Sequence, residues 1–277
     1  MTLYDSRPAK ASPKFWRNAA LPFIEMREVP DGRRVCYAPH AHQCFSIGAV
    51  TGGISKYVNG SHAEQISGGT VVVMNPGDVH ACNPIDDKRW SYRMLYVDTR
   101  WLADLHAQQD AQSATLRRFE LAAIRDPFLF HALNALCEVL TNDASSDLEK
   151  CCTAWTFFSE LPSRLQPIPT PRHTTHPRLD VVADFVRDHC TQPLRIEDLC
   201  AVSGLSGSYL IRAFKAQFGM TPHVYQLNAR IEYCRTALRR GVAIASVAAD
   251  AGFSDQAHLQ RTFKRFVAAT PGEYIKR

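Results

Sequence analysis

The C-terminal third of this 277-residue chain carries one pattern twice, and that repeat narrows the fold more than any other feature. SGLSGSYLIRAFKAQFGMTPHVY, Ser203–Tyr225, returns as AGFSDQAHLQRTFKRFVAATPGEY, Ala251–Tyr274. At an offset of 48, Ile196 pairs with Ile244, Leu199 with Val247, Ala201 with Ala249, Gly204 with Gly252 and Ser206 with Ser254. One inserted residue then moves the offset to 49. Leu210 pairs with Leu259, Arg212 with Arg261, Phe214 with Phe263, Lys215 with Lys264, Pro222 with Pro271 and Tyr225 with Tyr274. A solenoid needs at least three stacked units, so two copies describe a duplicated supersecondary unit.

Each copy spells helix, tight turn, helix. Ile196, Leu199, Cys200 and Val202 put apolar groups on one face of a short helix, which Gly204 stops. Ser206 follows as an N-cap candidate, and Leu210, Phe214 and Phe218 recur every four residues. The second copy repeats this with Ile244, Val247 and Ala248, then Gly252, Ser254, Leu259, Phe263 and Phe266. Two helices joined by a short glycine-containing turn fit a helix-turn-helix, although a single copy would fit an ordinary helical hairpin as well.

Charge separates those readings. From Arg178 onward, 14 Lys and Arg stand against 9 Asp and Glu, which accounts for the whole net charge of +5. Opposite each apolar stripe the second helix is polar or basic, with Ser208, Arg212 and Lys215 in the first copy and Gln256, His258, Gln260, Arg261 and Lys264 in the second; Ile211 is an apolar group on that face, placed to contact a thymine methyl. Arginine pairs with guanine and glutamine with adenine, while Lys and Arg neutralise phosphates. The one acid on the second face, Asp255, stands at the helix start, where the helix dipole favours it. Two such units in one chain can enter successive major-groove segments about 34 Å apart on double-stranded DNA.

Residues 178–277 resemble the AraC/XylS-type transcription regulators, whose DNA-binding domain is a pair of helix-turn-helix units. IASVAADAGFSDQAHLQRTFKRFVAATPGEY carries the resemblance, through Ala249, Gly252, Phe253, Ser254, Phe263, Lys264, Phe266, Pro271 and Tyr274. Ala268 departs from the pattern, which usually has glycine after the second recognition helix. The resemblance implies a long connecting helix over 222–240, with Leu227, Ile231, Cys234 and Leu238 as its buried stripe. It also implies Arg230 on the DNA backbone; an ion pair with Glu232 is the structural alternative. RNA polymerase as a partner, a homodimer and activation of transcription are further implications.

Pro162–Asp180, with five prolines and little apolar periodicity, reads as a linker over 162–177. No apolar run of 18 or more residues occurs, so no membrane partner is expected. Nine cysteines without regular CxxC spacing point to reduced, largely buried thiols and a cytoplasmic protein.

The fold class expected is α+β in two domains: a β-barrel with flanking helices over 12–161, then an all-α domain with helix-turn-helix units at 196–218 and 244–267. CFSIGAVTGG, ISKYVNG, HAEQISGGTVVVMNPGDVHAC and WSYRMLYVD read as short strands divided by glycine turns, with the barrel at about 23–100. Helices are expected over about 111–161, where FLFHALNALCEVL and LEKCCTAWTFFSELPSRL are amphipathic. His40-Ala41-His42 and Asn75–His80 resemble the two motifs of cupin barrels. In the AraC/XylS regulators such a barrel commonly senses a small molecule and the helices after it commonly dimerise.

A small-molecule effector is therefore expected in the barrel mouth, bound by His40, His42, His80 and Arg93, with Tyr57, Trp90, Tyr92 and Tyr96 as walls. Strand alternation sends Trp90, Tyr92, Met94 and Tyr96 to one face and Ser91, Arg93, Leu95 and Val97 to the other, without saying which faces inward. An inward Arg93 would suit a carboxylate. No cofactor and no catalysis are expected. The alternatives are a metal- or thiol-responsive regulator using His40, His42 and His80, with Cys44 and Cys82 nearby, or a metal-dependent cupin enzyme. The enzyme is disfavoured because Ser46 and Ile47 occupy the places of the usual cupin glutamate.

Overall fold

The structure, a computed structural model, describes residues 12–60, 62–108, 118–119, 123–165, 167–168 and 176–276. The first part of the expected helical region, 111–117, and much of the expected linker, 169–175, lie outside the described residues.

One long strand organises the N-terminal half. Strands β1 (Lys14–Trp16), β2 (Ile24–Val29), β3 (Phe45–Asn59), β4 (His62–Ser67), β5 (Val71–Met74), β6 (His80–Pro84) and β7 (Trp90–Val97) are followed by helix α1 (Thr99–Ala107). The short strands β8 (Arg118–Phe119) and β9 (Ala123–Ile124) come next. The early half of β3 pairs with β7 and β5, and its later half with β4 and β6, all antiparallel. The sequence reading of two strands divided at Thr51–Gly53 is thereby corrected. The chain does not turn there; it bends within one strand, with a register shift against β7 between Val50 and Gly52. Gly53 makes the bend possible: its φ is +71°, and a Cβ would fall 1.8 Å from the Arg89 carbonyl oxygen. The sheet thus curls into a cupin-like half-barrel.

Both faces of that sheet are covered. On the outer face, Met26, Ile47, Val73, Leu95 and Val97 pack against α1 and against α2 (Pro127–Thr141) and α3 (Asp147–Arg164) through Leu133, Leu136, Phe158 and Leu161. On the inner face, Val29, Val50, Val72, Met74, Trp90, Tyr92 and Met94 form a second core. Helix α3 runs past the expected domain end at 161 and holds Pro162 inside it. Proline cannot bond the carbonyl four residues back. That carbonyl, of Phe158, instead lies 3.1 Å from the buried His106 Nε2. Strand β10 (Pro167–Ile168) then pairs with β8.

The C-terminal half is helical: α4 (Pro177–Asp188), α5 (Ile196–Ser203), α6 (Gly207–Phe218), α7 (Pro222–Arg239), α8 (Ile244–Asp250), α9 (Gln256–Val267) and α10 (Pro271–Ile275). Leu179, Val182, Leu199, Leu210 and Phe214 form the core of one helix-turn-helix unit. Val247, Phe253, Leu259, Phe263, Phe266 and Tyr274 form the other, which also receives Phe15 from β1. Ile231, Cys234 and Leu238 of α7 are buried as the stripe expected for a connecting helix. In the second turn Gly252 has φ +75°, and a Cβ would meet the Thr191 carbonyl oxygen at 2.1 Å, so the two units approach each other at a point only glycine fits. Ala268 caps α9 in the left-handed region at φ +50°, donating its N–H to Lys264 O as a glycine would.

Candidate effector cavity and DNA-reading face

The inner face of the half-barrel closes around a narrow cavity of about 30 Å³, bordered at one end by His40, His42 and His80 and along its walls by apolar and aromatic side chains. That is room for about two water-sized groups. Trp90, Tyr92 and Tyr96 border it, so the aromatic face of β7 points inward, and Leu95 and Val97 join the core under the helices. Sequence could not decide this because both faces of β7 are buried.

Two expected effector residues have their polar groups engaged outside the cavity. Arg93 borders the cavity, but its guanidinium is held on the helix side by Glu28 at 3.3 Å and by Asn134 and Glu138 at 3.1 Å each. A carboxylate anchor at Arg93 is therefore corrected: that charge already has partners. Tyr57 is closed into the core, donating to Val73 O at 3.3 Å and accepting from Asn59 Nδ2 at 2.8 Å, and is not a cavity wall.

The three histidines do converge. Their candidate ligand atoms lie within 4.8 Å of one another, and all three are buried. Short turns fix two of the rings: His40 Nδ1 lies 2.8 Å from Ala38 O and His80 Nδ1 lies 2.9 Å from Asp78 O. A carbonyl only accepts, so each Nδ1 carries the hydrogen and each Nε2 keeps a free lone pair. Burial, reinforced by the neighbouring imidazoles, holds His40 well below the ordinary histidine range and pushes His80 down to about 3. Burial also lowers His42, with Glu232 opposing it. Burial raises the Cys44 and Cys82 thiols to about 12, and the donor cluster whose ligand atoms converge among the described residues is His40, His42 and His80.

The cavity mouth is covered by the DNA-binding half, and here sequence reasoning missed the residues that matter. Arg235 reaches from α7 into the mouth, donating to Glu25 Oε1 at 3.1 Å, to Glu232 Oε1 at 2.9 Å and to the Tyr274 hydroxyl at 3.3 Å, with its Nη1 3.2 Å from His42 Nδ1. Glu25 is buried; burial alone would raise its pKa, but Arg235 and Arg17 outweigh that and hold it below the usual carboxylate range. Arg27 donates to Val267 O at 2.5 Å. Asn228, Glu232 and Arg235 recur at helical spacing on one polar face of α7. That face looks solvated until its partners, 187 to 210 residues away in sequence, are placed against it.

In the DNA-binding half, Ser208, Ile211, Arg212 and Lys215 of α6 are exposed, as are Gln256, Gln260, Arg261 and Lys264 of α9. His258 is half-buried, with Nδ1 3.2 Å from Ser254 Oγ and its ring packed edge-on to Phe253. The expected backbone role of Arg230 is corrected. Its guanidinium donates to the carbonyls of Cys190, Gly252 and Gln192 at 2.6, 2.7 and 3.0 Å, clamping the two helix-turn-helix units together rather than reaching out. It does not pair with Glu232 either.

A sheet-built sensing cavity capped by a pair of helix-turn-helix units defines a ligand-binding, DNA-binding regulator of transcription. The profile described as "AraC-like ligand binding domain" matches residues 30–155, and the profile described as "Helix-turn-helix domain" matches residues 199–277. The chain belongs to the AraC family of transcription regulators. It is 28% identical to the uncharacterized HTH-type transcriptional regulator YbfI of Bacillus subtilis (strain 168), over 79% of this chain and 80% of that one. It is 29% identical to the HTH-type transcriptional regulator MtrA of Neisseria gonorrhoeae, over 36% of this chain but only 33% of that protein. The fold matches that of ToxT from Vibrio cholerae strain SCE256. An apo variant superposes with a TM-score of 0.56 at 14% identity, covering 95% of this chain and 96% of that one. The wild-type form bound to an unsaturated fatty acid gives 0.53, also at 14% identity, covering 97% and 96%. No helix among the described residues is long and apolar enough to cross a membrane.

Proposed function

We propose that this regulator activates transcription, that it reads its operator with α6 and α9, and that a small effector in the half-barrel cavity controls it. One observation carries this: the polar end of the cavity and the helix joining the two helix-turn-helix units share side chains, with Arg235 of α7 on His42 and Glu25. A ligand that moves His42 or Tyr96 moves the seat of Arg235, whose guanidinium lies 5.2 Å from the Tyr96 ring. Coupling follows only if the effector binds the two arrangements with different affinity.

The effector surface is His40, His42 and His80 with Trp90, Tyr92 and Tyr96. ToxT was solved with an unsaturated fatty acid; at about 30 Å³ the cavity here takes a far smaller group unless its walls part. Binding rather than catalysis fits the relatives, which are named regulators. A homodimer through α2 and α3 is supported by the exposure of Phe128, Leu148 and Trp155, and RNA polymerase is the partner an activator requires. The protein works in the cytoplasm, where its nine free cysteines stay reduced.

A thermal-shift screen of small metabolites, followed by fluorescence anisotropy on a duplex selected from random sequence, tests this reading. A ligand that stabilises the protein should change operator affinity about 5- to 150-fold. Stabilisation by a cavity ligand with no change in affinity would contradict it.

A further inference from the structure

We propose that His40, His42 and His80 hold a divalent transition-metal ion of the zinc class, and that this ion sets the grip of the half-barrel on the DNA-binding half. The inference rests on the effector reading above and names what that cavity takes.

Geometry supports the ion first. Tetrahedral zinc with imidazole ligands at about 2.0–2.1 Å puts the nitrogens roughly 3.3 Å apart. The three candidate donors are already within 4.8 Å and need only small ring movements to close in. His40 and His80 have the arrangement that metal-binding histidines show, with Nδ1–H on a backbone carbonyl and the Nε2 lone pair free. A space for about two water-sized groups fits one ion and one further ligand. Three imidazoles select zinc-like ions over calcium or magnesium, which want oxygen. The place of the usual cupin glutamate is filled by Ser46 and Ile47, so a coordination position stays open for water or an effector atom.

The coupling follows from His42. Its Nδ1 stands 3.2 Å from Arg235 Nη1, which can only donate, and 3.5 Å from Glu232 Oε1, which can only accept. With Arg235 as partner, Nδ1 is bare and the hydrogen sits on the ring's other nitrogen. A metal on that other nitrogen requires the opposite tautomer, with the hydrogen on Nδ1 and directed at Glu232. Loading the ion therefore exchanges one α7 partner for another, forming a carboxylate–histidine–metal chain. The other ligands are tied to the DNA-binding half as closely. Ala38, which holds His40, donates its N–H to Arg265 O of α9 at 3.0 Å. Ala41, between His40 and His42, exchanges two hydrogen bonds with Asn228. Val79, beside His80, packs on Gly219 at the end of α6.

The test uses the full chain, chelator-stripped, titrated with Zn²⁺ against a chromophoric competitor, and with Co²⁺ to read d–d absorption. One ion per chain with tetrahedral Co²⁺ bands is expected. Affinity should fall at least 100-fold in His40→Gln and in His80→Gln, and about 10- to 100-fold in Glu232→Gln, which removes only the second partner. Circular dichroism establishes that each variant is folded; if a histidine variant is not, the Co²⁺ spectrum of the parent decides. No stoichiometric binding, no imidazole-type spectrum, or affinity unchanged in the folded histidine variants would overturn the site. Anisotropy on the selected duplex, with Zn²⁺ or with EDTA, should show different affinities in the parent and equal ones in His80→Gln. Zn²⁺ binding without that difference would overturn the control by metal. A metabolite that shifts DNA affinity in a protein that binds no metal would overturn the ion and leave the effector reading standing.

Discussion

The side chain of Asn228 stands in for a backbone strand against Ala41: its amide donates to Ala41 O at 2.9 Å and its carbonyl accepts from Ala41 N at 3.2 Å. Ala41 lies between two cavity histidines, and Asn228 lies on the helix that joins the two helix-turn-helix units. Both groups are buried. Removing the amide leaves a buried peptide N–H and C=O without partners, a loss of roughly 1–3 kcal/mol each where water cannot reach them. In Asn228→Ala the Ala41 amide should exchange with solvent markedly faster, and calorimetric unfolding should separate into two transitions. One cooperative transition with unchanged Ala41 exchange would count against this dock.

Arg235 and Glu25 give the second prediction. Each is buried against the other, so Arg235→Ala leaves Glu25 with Arg17 and Tyr274 but without its closest charge from α7. Breaking one side of a buried pair costs about 3–5 kcal/mol, whereas replacing both by apolar groups of similar size can be neutral. Chemical denaturation should show Glu25→Leu combined with Arg235→Met to be more stable than Arg235→Ala alone. Strict additivity of the single changes would show that the two side chains act independently.

The DNA-reading face and the inter-unit clamp should separate experimentally. Arg212→Ala and Arg261→Ala should each weaken operator binding by roughly 1–3 kcal/mol and relax preference at particular base pairs. Lys264→Ala should weaken all sequences alike and reduce the salt slope by about one. Arg230→Ala should leave base preference and salt slope alone and lower stability instead, since its guanidinium holds three carbonyls. A shallower salt slope in Arg230→Ala would return that residue to the DNA backbone.

Ala268 offers a fourth. A residue with a Cβ in the left-handed region costs about 1–2 kcal/mol relative to its relaxed state, and glycine avoids that. Ala268→Gly should raise stability by about 1 kcal/mol in denaturant unfolding, since the cap geometry at φ +50° is already the one glycine prefers. A loss of stability would mean that the methyl group, packed against the barrel core, outweighs the strain.

What could be read from sequence follows from periodicity. The two helix-turn-helix units are legible because the repeat places Leu210 with Leu259 and Phe214 with Phe263, and all four are buried. The histidine cluster is legible because two short motifs carry it. The inward face of β7 is not legible, since Tyr92 and Leu95 point into different cores that are equally apolar. The α7 face bearing Asn228, Glu232 and Arg235 reads as solvated because helical periodicity reports polarity, and only the docked half-barrel reveals that Asn228 and Arg235 are buried. Arg230 misleads for a related reason: its three partners are backbone carbonyls, which leave no trace in a pattern of side chains.

Linkage offers the most direct measurement. If the cavity controls DNA binding through this dock, DNA must act back on the cavity by the same factor. Hydrogen exchange of the full chain, with and without saturating operator duplex, reads that return effect at residues 38–42 and 77–80, which carry the cavity histidines and none of the DNA-reading side chains. A change of about fivefold or more in exchange at Ala41 and His80 is the predicted result, matching a coupling of roughly 1 kcal/mol. Protection confined to α6 and α9, with exchange at 38–42 and 77–80 identical in both states, would contradict it.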